Sequence, residues 1–277
     1  MELIKNAEDN DYKEATAARN DPYVQFNIHQ NKIVIENNED GFTASNVEAI
    51  CKLTGSTKTG SDSQEYIGEN GIGFKAVFLV ASLVKIQSGP FSFSFEYPQN
   101  HTGVAMITPV DNYPDDALPL SLTRITLMLR EDVNRDDLDK QFFNDIPDTI
   151  LLFLKKLGRI SINKYGVSGT LVRHTTYLRD TDERMRVTLT KVSQLDGNPP
   201  DTAIAHYYTV WRRLSNLPDD VHGSRNTAEL CLAFPVDGKD VPLVATQSVY
   251  SYVPIESLGL HVCSHLYAST ESVGLTQ

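Results

Sequence analysis

The sequence predicts an α+β protein: a two-layer sandwich with helices on one face of a mixed sheet, followed by a smaller strand-rich region. Three observations predict it. Residues 1–165 run helix, hairpin, helix, loop, helix, several strands, helix, strand, an order that suits helices packed on a mixed sheet. Segments such as "YVQFNI" and "KIVIEN" alternate apolar and polar side chains with the period of a half-buried strand. Beyond Tyr165 the patterned segments are mostly strand-like, so a boundary near residue 165 separates a first unit, 1–165, from a second, 166–277.

The elements follow in order. "MELIKNAEDNDYKEATAARN" reads as one helix that Pro22 closes. The two alternating runs around "HQN" read as a hairpin. "SNVEAICKL" opens with Ser45 three positions before Glu48, a capping box, and Gly55 stops it. Residues 55–70, "GSTKTGSDSQEYIGEN", are polar and rich in glycine and serine, as loops are. A helical pattern runs from Gly71 to about Ala81. "LVKIQS", "FSFSFEY", "GVAMITPV" and "RITLMLRE" read as strands, "LDKQFFNDIPDTILLFLKKLG" as an amphipathic helix despite Pro147, and "RISINK" as a strand. "TLVRHTTYL", "RMRVTLTKV", "AELCLAFPV" and "QSVYSYVP" make up the strand-rich remainder.

Composition narrows the function classes. With 277 residues and 40% hydrophobic content the chain can bury a core. No apolar run reaches the length of a membrane-spanning helix, so no membrane partner is expected. Its formal net charge of −11 argues against a broad nucleic-acid-binding face. The 3 cysteines, Cys51, Cys231 and Cys263, lie far apart without metal-ligand spacing. That fits a reducing compartment, cytoplasmic or nuclear. "HVCSH" alternates His261, Cys263 and His265 as a strand does, and "HYYTVWRRL" (His206, Trp211, Arg212, Arg213) reads as packing and surface charge.

"GENGIGFKA" allows several readings. A phosphate-binding P-loop needs lysine directly after its last glycine, and here Phe74 separates Gly73 from Lys75. "GIGFKA" satisfies a dinucleotide fingerprint, but a polar loop stands where a buried strand must precede it. A glycine-rich loop entering a helix N-terminus suits phosphate oxygens. A close-packed helix start without a ligand suits the same residues. On the first helix Glu2, Asn6 and Asp9 share a face, an oxygen-rich stripe that suits Mg²⁺ and a water, or simply a solvated surface.

Taken together and in this order, "ELIKNAEDN", "NNEDGF", "IGENGIGFKAVFLVASLVKI" and "LTRITLML" resemble the motifs of the GHKL ATPase superfamily, which includes gyrases, heat-shock protein 90 chaperones and sensor histidine kinases. The wording "NNEDGF", "STK" and "GENGIGFKAVF" looks closest to the sacsin and NO VEIN-like branch. The resemblance covers about residues 2–165. "LAFPVDG" and "VYSYVPIESLGLHV" resemble the segment that follows the ATPase domain in that branch. It implies the Bergerat ATP-binding fold, ATP and Mg²⁺ as cofactors, and protein clients or partners of a chaperone-like protein. By the same resemblance Glu2 matches the general base and Asn6 the Mg²⁺ ligand, with Asp9 beside them. Glu39 stands where the family has the aspartate that accepts from the adenine amino group, and Gly41 follows it in the same box. Thr123 matches the threonine that assists at the adenine. Gly68, Gly71, Gly73 and Phe74 match the phosphate-side loop and helix start, and residues 53–70 the ATP lid.

Three departures modify this. Glu39 is one methylene longer than aspartate. Thr43 replaces a glycine, and Glu2 sits where family members have a further element before it, so the first unit is expected to lack that element and hydrolysis to be slow at best. The alternative is a non-catalytic scaffold that keeps the fold.

Overall fold

The computed structural model describes residues 2–55, 74, 76–96, 109–111, 118–119, 121–215, 227–243, 247–251, 253–258 and 265–268. The helices are α1 (Glu2–Asp9), α2 (Lys13–Ala17), α3 (Ala44–Gly55) and α4 (Arg135–Phe143), with 3-10 turns at Ala76–Leu79 and Ile150–Leu152. The strands are β1 (Tyr23–Ile28), β2 (Lys32–Asn37), β3 (Ala81–Ser88), β4 (Phe91–Glu96), β5 (Pro109–Asp111), β6 (Thr123–Leu129) and β7 (Arg159–Tyr165). They continue as β8 (Leu171–Thr181), β9 (Arg186–Leu195), β10 (Asp201–Ser215), β11 (Thr227–Val236), β12 (Gln247–Ser251), β13 (Val253–Leu258) and β14 (His265–Ala268).

These strands form one 14-stranded sheet in the order β13-β12-β14-β11-β10-β9-β8-β7-β1-β2-β6-β3-β4-β5. The expected α+β two-layer sandwich with helices on one face is therefore corrected: one continuous mixed sheet carries the chain, and among the described residues the helices are few and short. The physical reason lies at β7. It pairs in parallel with β1 on one side and antiparallel with β8 on the other, so the strand-rich remainder extends the first sheet without a break.

Local chemistry explains the shortened helices. The expected first helix breaks at Asn10–Tyr12, because the Asp40 carboxylate accepts from the amides of Lys13 (3.0 Å) and Glu14 (2.9 Å) and starts α2 as a separate helix. Of the helix expected over 71–81, Phe74 is helical, Ala76–Leu79 form the 3-10 turn and β3 begins at Ala81, while residues 71–73 and 75 lie outside the described residues. Asn134 caps α4 by accepting from the Asp136 amide at 3.0 Å, and the helix ends at Phe143 before Pro147. β10 is a strand where the sequence pattern predicts only packing and surface charge around "HYYTVWRRL".

The core follows from strand alternation. Ile33, Ile35 and Asn37 point inward from β2, opposite Ile28, Phe26 and Val24 of β1. Leu127 of β6 and Val84 and Ile86 of β3 continue that face, and Ile4, Ala7, Leu138, Phe143 and Ile146 close on the same cluster. Burying side chains of this size contributes about 1.5–3 kcal/mol each. The row that ends this apolar face is polar: Asn37, Thr123 and Ser88 lie side by side across β2, β6 and β3.

Candidate functional site

The stretch after β2 is fixed at three points. Asn38 accepts from the Tyr23 amide (2.8 Å) and donates to the Asp21 carbonyl (3.0 Å). Asp40 caps α2, and its own amide donates to the Asp11 carbonyl at 2.9 Å. The Phe42 amide donates to Ser88 Oγ at 2.7 Å. Gly41 lies between them with φ of 87°, a backbone turn that a side chain resists. Glu39 is held inside this frame and is only 4% exposed.

Glu39 receives a directed hydrogen-bond chain. Ser88 Oγ already accepts from Phe42, and the Ser88 and Thr123 hydroxyls lie 2.5 Å apart. Thr123 hydrogen-bonds the Glu39 carboxyl. A hydroxyl has one proton, so when Glu39 is ionised Thr123 donates to it and Ser88 donates to Thr123. Glu39 Oε1 remains buried without a hydrogen-bond partner among the described residues, and so does Asn37 Oδ1. Burial raises the Glu39 pKa to about 7; the Thr123 bond lowers it and the nearby charge of Asp40 adds to the rise. The result is a carboxyl that titrates near neutrality with one oxygen open.

α1 connects to this frame at its C-terminal end. Burial and the charges of Glu39 and Glu8 raise the Tyr12 phenol, which places that ring near both acids. Its hydroxyl donates to the Ala7 carbonyl at 2.7 Å. Of the stripe expected to bind Mg²⁺, Glu2 and Asp9 are exposed and Asn6 is half-buried. The Asp9 carboxyl is raised chiefly by its partial burial, against the attraction of Lys5, and Glu2 also pushes it up, as same-face placement requires. The structure thus unites Glu39, Gly41 and Thr123, sets Asn6 and Asp9 on the adjoining helix, and shows no contact between Glu2 and Glu39. Phe74 is buried in the core with its ring edge-on to Phe78 and Phe95. Gly68, Gly71, Gly73 and most of the expected lid lie outside the described residues, as do His261 and Cys263. Among the described residues no group of three or more His, Cys, Asp and Glu side chains could hold a metal ion.

Three residues of this region are not among those the sequence predicts for the site. Glu8, one position from Asp9, is the buried acid of α1. Its oxygens accept from the amides of Lys155 (2.6 Å), Lys156 (2.9 Å) and Leu157 (2.9 Å), tying α1 to the turn before β7. Ser88 and Asn37 were visible only as strand ends. The inward phase of "KIVIEN" was the one available signal that Asn37 is a polar residue on the core face.

Two cavities lie elsewhere. One of about 260 Å³ is lined by Leu3, Ile4, Phe26, Gln141, Phe142, Asp145 and Ile146. The other, of about 340 Å³, lies among Leu152, Lys155, Arg179, Met185 and Trp211. Neither touches Glu39. No helix among the described residues is long and apolar enough to cross a membrane.

Fold and site together define a chain with a frame-held buried acid at the end of a central strand, open on one oxygen and served by a hydroxyl relay. No family model matches it. It is similar to Protein NO VEIN of Arabidopsis thaliana, 29% identical over 278 residues that cover 94% of this chain and 10% of that protein. The likeness supports the NO VEIN-like branch, and the chain spans about a tenth of that relative's length.

Proposed function

We propose that this chain is an ATP-binding module of a chaperone-like protein of the GHKL kind, Mg²⁺-dependent, with slow hydrolysis. The observation that carries the reading is Glu39: a buried acid with Oε1 open and its other side supplied by Thr123, at the strand end where the motif resemblance puts the adenine contact. An ionised carboxylate is an acceptor only, so it suits the amino group of an adenine and disfavours a carbonyl in its place. Asn6 would supply an oxygen to Mg²⁺, with water and phosphate oxygens completing the shell. The metal would offset phosphate charge, and Glu2 would hold a water in line for attack on the terminal phosphate. Protein clients are the partners this reading implies.

A second reading, a nucleotide-bound scaffold without turnover, is favoured by the exposure of Glu2 and by Glu8 being the carboxylate that α1 buries. Calorimetric titration of the chain with Mg-ATP tests the first reading. Binding is expected, and Glu39→Ala is expected to weaken it at least tenfold; no heat at millimolar ATP sinks the proposal. Turnover lost in Glu2→Ala with binding kept would favour the hydrolytic form, and binding with no wild-type turnover would favour the scaffold.

A further inference from the structure

The polar row at the ends of β2, β6 and β3 holds a second open acceptor. Asn37 faces Thr123 directly across the β2–β6 register and is 6% exposed. Its Oδ1, like Glu39 Oε1, has no hydrogen-bond partner among the described residues. With Glu39 ionised the neighbouring hydroxyls do not serve it, because the Thr123 proton then goes to Glu39 and the Ser88 proton to Thr123. A buried polar atom without a partner is costly and rare in folded proteins. Two such acceptors stand two residues apart at the same strand end, and a ligand group with two donors on one atom is the chemistry that would pair both.

An exocyclic amino group on an aromatic ring is that group: it carries two N–H donors on a single nitrogen. Resting on the ATP-binding reading, we propose that Asn37 is a specificity residue for the base. Glu39 Oε1 takes one hydrogen of the 6-amino group and Asn37 Oδ1 takes the other. The site then selects a 6-aminopurine over a purine without that amino group, because both acceptors are left unpaired by the latter. Ser88 serves the same selection indirectly, by keeping the Thr123 proton on Glu39 and away from Asn37.

The test compares ATP with purine riboside triphosphate, which lacks only the 6-amino group, each titrated with Mg²⁺ into the full chain. Wild type is expected to prefer ATP about a hundredfold, the size of two hydrogen bonds one of which is to a charged acceptor. Asn37→Ala is expected to lower that preference about tenfold while the affinity for purine riboside triphosphate changes little. If that variant fails to fold, wild type alone decides with N6-methyl-ATP, which keeps one N–H and is expected to fall between the other two ligands. Wild type that binds neither ATP nor its analogue overturns the ATP reading and this assignment together. Wild type that binds ATP, with an undiminished ATP preference in Asn37→Ala or with N6-methyl-ATP equal to ATP, overturns the Asn37 assignment alone.

Discussion

On the ATP-binding proposal, Glu39 is the residue on which binding and stability oppose each other. Its pKa of about 7 in the fold exceeds the ordinary value of 4.5, so between those values the folded chain binds more protons than the unfolded one. Stability from this group is therefore fully present below pH 4.5 and is lost as pH rises to 7, by about 3 kcal/mol on linkage arithmetic. Glu39→Gln removes the charge and should raise the midpoint of urea unfolding at pH 8 while leaving it near that of wild type at pH 4. Equal midpoints for both chains at pH 8 would show that the buried charge has no such cost. The same substitution should weaken ATP, because an amide can present its donor to the amino group. Glu39 and Thr123 were legible as separate motif residues. Asn37 and Ser88 were not, because what joins them to the site is cross-strand register between segments far apart in the chain, and register leaves little local trace.

At the scale of elements, two carboxylates set where helices begin and dock. Asp40 separates α2 from α1 by capping it, and Asp40→Ala should cost about 1 kcal/mol, read from chemical denaturation. Glu8 matters more. It gathers three consecutive backbone amides of the turn at Lys155–Leu157, so Glu8→Ala leaves buried donors unpaired and should cost about 2–4 kcal/mol. Glu8→Gln, which keeps an acceptor oxygen, should cost less, and an equal loss for both would contradict the role given to the carboxylate. Sequence pattern located β1, β2, β6 and β7 well, since alternation is a local signal. It extended the first helix through Asn10–Tyr12, because the cap that divides it comes from Asp40, beyond the hairpin. It also ran the helix of residues 138–158 past Pro147, where the chain in fact turns into a 3-10 segment.

At the scale of the whole molecule, the continuous sheet is what the sequence left hidden. The change of texture near residue 165 is real in the sequence, but β7 and β8 pair across it through an extended register from Arg159↔Leu178 to Tyr165↔Leu171. Parallel pairing of β1 with β7 is equally non-local, and nothing in either segment alone announces it. A chain ending at residue 165 would uncover the β8 side of β7, a row of unpaired backbone donors and acceptors. Such a chain should self-associate in sedimentation experiments at concentrations where the full chain does not, and an equally monodisperse short chain would argue against the importance of that edge.

The central claim is that ionised Glu39 binds the amino group of ATP, and the pH dependence of that binding tests it most directly. The dissociation constant for Mg-ATP should be measured from pH 6 to pH 8.5 for wild type and Glu39→Gln. Affinity in wild type should rise about tenfold across that range as Glu39 loses its proton near pH 7, while Glu39→Gln stays weak and flat. Wild-type affinity that is independent of pH, or a Glu39→Gln chain that binds ATP as well as wild type, would contradict it.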